Sequence, residues 1–237
     1  LVTLFPLKLQ AALSARRGKV LVGPIDLELE GVGATVVIGP NGSGKTTLLR
    51  MIHGAARLTS GEISWACDEA RARRAQPFVF QRPVMLRRTV LDNLTYPLQM
   101  RGTARRHAAE QAEIWAKRVG LETMLDRAAH NLSGGEQQKL ALARAMITAP
   151  SVLFLDEPTA ALDGRATREV EEVLLEARAA GTRLILSTHD LGQARRLADD
   201  VVFLLHGRVL EHTQAREFFN VPQTAQAQAF LRGDIVE

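Results

Sequence analysis

The sequence predicts an α/β fold in which a mostly parallel sheet is covered by helices, preceded by an antiparallel β-subdomain and interrupted by an inserted helical subdomain. Three observations carry this. The apolar run Ala34-Thr35-Val36-Val37-Ile38 leads directly into a glycine-rich loop that opens a helix. Strand signals vanish over residues 82–131 and return afterwards. The returning strands, at residues 152–155 and 183–187, flank a helical stretch at 166–180, the alternation expected of a parallel sheet.

In chain order, residues 1–30 alternate apolar and polar (Leu7, Leu9, Val20, Val22, Ile25, Leu27, Leu29) and read as short antiparallel strands with turns at Arg17-Gly18-Lys19 and Gly23-Pro24. The strand at 34–38 precedes a helix expected over 46–52. Further strands are predicted at 61–65 and 77–81, bounded by glycine and proline. From Ala104 onward, many Ala, Glu, Gln and Arg residues with apolar Ile114, Val119 and Leu121 suggest amphipathic helices. Ser133-Gly134-Gly135-Glu136 has the form of a capping box, and its helix should run to about Thr148, before Pro150. A last strand at 201–205 turns through His206-Gly207 into Arg208-Val209-Leu210 as a hairpin, and the tail from Gln214 reads as one or two short helices.

Composition narrows the class. At 237 residues and 46% hydrophobic, the chain can fill one large core. Its longest purely apolar stretch, residues 201–205, is far below the roughly 18 residues of a membrane span. The start, Leu1-Val2-Thr3-Leu4-Phe5-Pro6, lacks both an initiator Met and the pattern of a secretory signal. A lone cysteine, Cys67, agrees with a reducing compartment and reads as an inert thiol. The pI near 9.7 and the arginines at 71, 73, 74, 82, 87, 88, 101, 105 and 106 invite a nucleic-acid reading. However, 25 arginines against 5 lysines, with abundant alanine, look like coding bias, and nucleic acid is not expected as a partner.

The residues that carry chemistry begin with Gly39-Pro40-Asn41-Gly42-Ser43-Gly44-Lys45-Thr46, which matches G-x-x-x-x-G-K-[ST] in the strand-to-helix context that the motif requires. This makes the core that of a P-loop NTPase. Amides from Asn41 to Thr47 should cradle phosphates, Lys45 should neutralise the outer ones, and Thr46 should ligate Mg²⁺. The strand Val152-Leu153-Phe154-Leu155 ends in Asp156-Glu157. Phosphoryl transfer needs an acid near the metal and a group that polarises the attacking water, roles suited to Asp156 and Glu157 respectively.

Leu132-Ser133-Gly134-Gly135-Glu136-Gln137, followed by that strand, resembles the ATPase subunit of an ATP-binding cassette (ABC) transporter, over nearly the whole chain. The resemblance implies one ATPase domain over 1–237. Residues 1–81 and 150–237 would form the core with its antiparallel subdomain, and about 82–149 the helical subdomain. It implies that Ser133, Gly134, Gly135 and Glu136 bind ATP held by the other copy of a homodimer. Such a helix start carries free amides and roughly half a positive charge. It further implies that Gln81 contacts Mg²⁺ and the attacking water, that Asp163 in Ala160-Ala161-Leu162-Asp163 lies in the loop crossing the dimer interface, and that His189 contacts the γ-phosphate. The cofactors would be ATP and Mg²⁺, the latter at Thr46, Gln81 and Asp156. Such cassettes usually place an aromatic upstream of the phosphate loop to stack on adenine. This chain has none between Phe5 and the loop; the planar guanidinium of Arg16 or Arg17 could stack there instead.

Within the family, residues 81–90 and 188–213 resemble bacterial tungstate-type oxyanion importers. The chain also ends too soon for the further C-terminal β-domain of many molybdate, sulfate and sugar cassettes. The expected partners are transmembrane permease subunits and, indirectly, a solute-binding protein, with the chain peripheral on the cytoplasmic face of the cell membrane. The alternatives are an importer ATPase for molybdate, phosphate or another small solute, and a soluble cassette ATPase outside transport. Glu157 argues against an inert nucleotide-binding regulator.

Overall fold

The computed structural model describes residues 4–236; Leu1, Val2 and Thr3, the first residues of the segment read above for a leader, lie outside them, as does Glu237. An antiparallel sheet in the order β2-β1-β4 is built from β1 (Leu7–Arg16), β2 (Lys19–Leu29) and β4 (Ser60–Trp65). The second sheet runs β5-β6-β7-β3-β8-β9, from β3 (Ala34–Ile38), β5 (Phe78–Val79), β6 (Val152–Asp156), β7 (Arg183–Ser187), β8 (Asp200–Leu205) and β9 (Arg208–Gln214). All its pairings are parallel except β8 with β9.

The central strands β3, β6 and β7 are buried throughout and mostly apolar because both faces of this sheet are covered. On β3, Val36 and Ile38 pack with Leu153, Leu155, Leu174, Leu184, Leu186 and Phe203, whereas Val37 points the other way. There it meets Phe154, Ile185, Leu48 and Leu49, on the side where the antiparallel sheet closes over α1 (Lys45–His53). A separate cluster holds α3 (Val90–Gln99), α4 (Arg105–Arg118) and α5 (Gly134–Met146) together through Leu94, Ala112, Ala116, Leu140 and Ala143. The remaining helices are α2 (Glu69–Ala75), α6 (Gly164–Ala179), α7 (Leu191–Leu197), α8 (Ala215–Asn220) and α9 (Ala225–Arg232). Among the described residues, no helix is long and apolar enough to cross a membrane.

Several local expectations are corrected. Gly23-Pro24 is not a turn but lies inside β2, where the Gly23 amide donates to Gly207 O at 2.7 Å and the chain runs on to Leu29. The expected strand at 77–81 is regular only over Phe78–Val79. Ile114 is 57% exposed, and α4 instead buries its small residues Ala108, Ala112 and Ala116. Alanine reads as helix propensity in a sequence, yet here its lack of bulk lets α3 and α5 approach closely. Helices α2 and α7 were missed, both only seven residues long.

At the N-terminal ends of the central strands, Arg183 is 1% exposed and donates through Nη2 to Thr35 Oγ1 and to Asp200 Oδ2. Asp200 also accepts from Thr35 Oγ1 at 2.7 Å and pairs with His212 at 3.1 Å. This ties β3, β7, β8 and β9 at the end opposite the glycine loop. Burial works against the Asp200 charge, but the hydrogen bonds from His212 and Thr35 and the Arg183 guanidinium prevail and hold its carboxyl below the usual range. A depressed carboxyl contributes stability that is present above its unfolded value of about 3.9 and is lost as pH falls through the folded value. Asp200→Asn, which leaves the buried guanidinium without a counter-charge, should destabilise the fold by roughly 3 kcal/mol at neutral pH. It should also flatten the acid limb of the stability curve; denaturant midpoints across pH 3 to 7 measure both, and a parent-like profile counts against the lock.

Candidate active site

The ends of β3, β5, β6 and β7 converge where an open α/β sheet normally binds its ligand, outside the carboxyl ends of the strands. After Ile38 the chain must turn sharply beneath Leu204: at Gly39 (φ 151°) a Cβ would stand 2.0 Å from Leu204 O. Gly44 (φ 107°) caps α1, and a Cβ there would stand 2.5 Å from Val22 Cγ2, so only glycine fits at either position. With no side-chain cap and no acidic residue in its first turn, α1 leaves its amides available to an anion. Ser43 Oγ is buried without a partner in the same loop.

Lys45 is 6% exposed and folds back, its Nζ donating to Gly39 O at 2.9 Å and Pro40 O at 3.2 Å. Burial pushes its ammonium pKa down, partly offset by the Glu157 and Asp156 carboxylates. Thr46 Oγ1 donates to Asp156 Oδ1 at 2.8 Å, and Ser187 Oγ donates to the same oxygen at 2.8 Å. The other oxygen, Asp156 Oδ2, is buried with no hydrogen-bond partner, 3.9 Å from Arg50. Among the described residues, no group of three His, Cys, Asp or Glu side chains could hold an ion by itself. Thr46 with one buried carboxylate instead fits Mg²⁺, which binds through few protein ligands together with substrate phosphates.

Glu157 adopts a left-handed backbone (φ 47°), held by its amide donating to Ser187 O at 3.1 Å and Ser187 Oγ at 3.2 Å. A non-glycine residue pays about 1–2 kcal/mol for this, a strain typical of functional positions. It turns the side chain toward Gln81, whose Nε2 donates to Glu157 Oε2 at 2.9 Å, and His189, whose Nδ1 lies 3.2 Å from the same oxygen. The fold thus brings Lys45, Thr46, Gln81, Asp156, Glu157 and His189 around one loop.

Other expected residues stand apart. Ser133 and Glu136 form the reciprocal capping box at the start of α5: Ser133 N donates to Glu136 Oε2 at 2.7 Å, and Glu136 N to Ser133 Oγ at 3.3 Å. The Ser133 amide and hydroxyl hold the Glu136 carboxyl below its usual pKa. No hydrogen bond or ion pair among the described residues links positions 133–136 to the phosphate loop. Asp163 caps α6 through bonds from the Arg165 and Ala166 amides. Arg16 ends β1 and Arg17 begins the turn (φ 52°), while the neighbouring Val20 and Leu21 are exposed beside the loop.

Sequence reasoning passed over several residues that shape the site. Ser187 binds both carboxylate-bearing residues, because the parallel register sets it beside Asp156. Gln138 Nε2 reaches Phe80 O at 3.4 Å. The irregular segment after Gln81 is held by fully buried Asn93, which accepts from Leu86 N and donates to Thr89 O. Arg144 completes this frame by donating to Asn93 Oδ1 at 3.1 Å and Val84 O at 2.8 Å, and burial lowers its pKa. Pairings this distant leave no periodic signal.

A family model described as ABC transporter matches residues 22–160, more than half of the chain. The chain belongs to the ABC transporter family. It is 38% identical, over 82% of its own length and 92% of the relative's, to the tungstate uptake system ATP-binding protein TupC of Peptoclostridium acidaminophilum. It is 36% identical to the phosphate import ATP-binding protein PstB 2 of Natronomonas pharaonis, over 92% of this chain and 84% of that one. It is 35% identical to the glutamine transport ATP-binding protein GlnQ of Geobacillus stearothermophilus, over 87% and 90%. Among solved structures, the ATP-binding cassette MJ0796, seen as a post-hydrolysis dimer bound to ADP and Pi, superposes with a TM-score of 0.80 at 26% identity, covering 89% of this chain and 99% of that one. As an ABC cassette of the importer type, the chain binds ATP and couples its hydrolysis to transport.

Proposed function

We propose that this ABC ATPase drives uptake of a small oxyanion, tungstate first among them, as a homodimer docked on permease subunits at the cytoplasmic face of the membrane. The similarity to a tungstate uptake ATPase over most of both chains carries the substrate assignment. In this reading the cargo does not contact the cassette, and the anion is read elsewhere in the assembly, by a solute-binding protein and the permease.

In this reading Glu157 is the general base for the attacking water, Gln81 orients that water, and His189 holds the γ-phosphate. The contacts of Gln81 and His189 with one Glu157 oxygen support this. Lys45 and the amides of Asn41 to Thr47 grip the phosphates, and Thr46, Asp156 and Gln81 would hold Mg²⁺. The metal, when bound, neutralises developing charge on the phosphates. Among the described residues, the helix start at 133–136 shares no hydrogen bond with its own phosphate loop. Its capping box engages the Ser133 and Glu136 amides but not those of Gly134 and Gly135, which suits ATP held by a second copy, with Asp163 in the loop between. The separate apolar cluster of α3, α4 and α5 supports a helical subdomain over about 82–149.

Uptake by cells carrying or lacking this chain tests the cargo. Loss of the chain should cut tungstate accumulation at least about tenfold, as a high-affinity route does, and leave phosphate and glutamine uptake at parent levels. Unchanged tungstate with a fall in phosphate or glutamine uptake would assign a different importer.

A further inference from the structure

Beneath the catalytic turns lies a polar network that touches neither glycine loop. Gln193, on α7, is fully buried, and its Nε2 donates to Thr159 Oγ1 at 2.8 Å and to Glu171 Oε1 at 3.2 Å. Glu171, on α6 and 5% exposed, is gripped bidentately by Arg196 at 2.7 and 2.8 Å. Gln193 Oε1 has no partner. An apolar side chain would spare that oxygen but forfeit both bonds from Nε2, so packing alone does not account for an amide.

Its position does. Thr159 shares a turn with Glu157, since Ala160 N donates to Glu157 O at 3.2 Å and Leu162 N to Thr159 O at 3.0 Å. Gln193 shares a helix start with His189, since Asp190 Oδ1 accepts from Gln193 N at 3.0 Å. Among the described residues, the Gln193–Thr159 bond is the one side-chain hydrogen bond joining the turn after Glu157 to the helix after His189. His189 is otherwise loosely held: its side chain is 56% exposed, and its ring meets Glu157 through one contact of 3.2 Å. On the far side of the same turn, Leu162 Cδ2 lies 3.2 Å from where a Cβ on Gly135 would stand, which connects the turn to the start of α5.

We propose that Gln193 is a positioning residue for hydrolysis: its hydrogen bond to Thr159 sets His189 against Glu157 and carries movement of the 159–163 turn to the histidine. The proposal rests on the roles given above to Glu157 and His189. A general base works only within hydrogen-bond reach of its proton, and a misplacement of about 1 Å costs on the order of a hundredfold. The anchor therefore acts on turnover and not on nucleotide affinity.

Steady-state ATPase kinetics of the full chain test this with Gln193→Leu, Thr159→Val, the pair together and Thr159→Ser. Each of the first two should lower kcat roughly fivefold to tenfold, the value of one hydrogen bond, with KM for ATP within about twofold. The double variant should be no slower than the slower single, because both changes remove the same bond. Thr159→Ser, which restores the hydroxyl, should retain parent kcat. Parent kcat in both single variants, losses that multiply in the pair, or a change confined to KM would overturn the proposal. Should Gln193→Leu fail to fold by thermal unfolding, the comparison of Thr159→Val with Thr159→Ser decides alone. Glu157→Gln is measured alongside. If it turns over normally, the reading of Glu157 fails; if it is inactive while the Gln193 and Thr159 variants are unaffected, only the positioning role fails.

Discussion

Glu157→Gln is expected to lower steady-state ATP hydrolysis at least about a hundredfold while leaving ATP binding intact, the loss typical of removing a general base. The amide has the same shape, so the pocket at the end of β6 stays filled and the left-handed backbone at this position, held by Ser187, is undisturbed. What disappears is a basic oxygen at the point on which Gln81 and His189 converge. Because bound ATP would then persist, two cassettes should remain closed on it. Chromatography with ATP and Mg²⁺ should show a species of twice the monomer mass that the parent forms only transiently. Phosphate release at the parent rate would remove Glu157 as the base.

Lys45→Ala should weaken ATP binding by roughly a factor of ten to a hundred, the range for one charge-assisted hydrogen-bonding group. In the structure its ammonium is occupied by the carbonyls of Gly39 and Pro40, next to two carboxylates. Phosphate oxygens are better acceptors than those carbonyls, and a charged acceptor makes the stronger hydrogen bond to an ammonium. Titration with a fluorescent ATP analogue measures the loss, and a thermal melt separates it from any effect on folding. Parent affinity in a folded variant would show that the loop amides suffice and that Lys45 has another task.

Much of the site was legible because its chemistry is written in contiguous residues. The phosphate loop, the Asp156-Glu157 pair and the capping box at 133–136 each occupy a few consecutive positions, and their backbone demands leave fixed signatures. Gly39 and Gly44 are needed where a Cβ would strike Leu204 or Val22, and Ser133 with Glu136 close a helix start by themselves. Weak local signals misled: the proline in β2 resembled a turn, and the alanine face of α4 was overlooked in favour of Ile114.

The sequence by itself determined the strand-to-helix order, the glycine-rich loop that opens α1 and the acidic strand end, since each depends on residues near one another in the chain. Tertiary structure alone decided which side chains meet. Parallel register sets Ser187 beside Asp156, strand order brings Gln81 and His189 to one oxygen of Glu157, and packing of α7 on α6 buries the Gln193 bridge to Thr159. These contacts join residues 30 or more positions apart, Gln81 and Glu157 by 76, and are fixed by how the layers close rather than by any local preference of the chain.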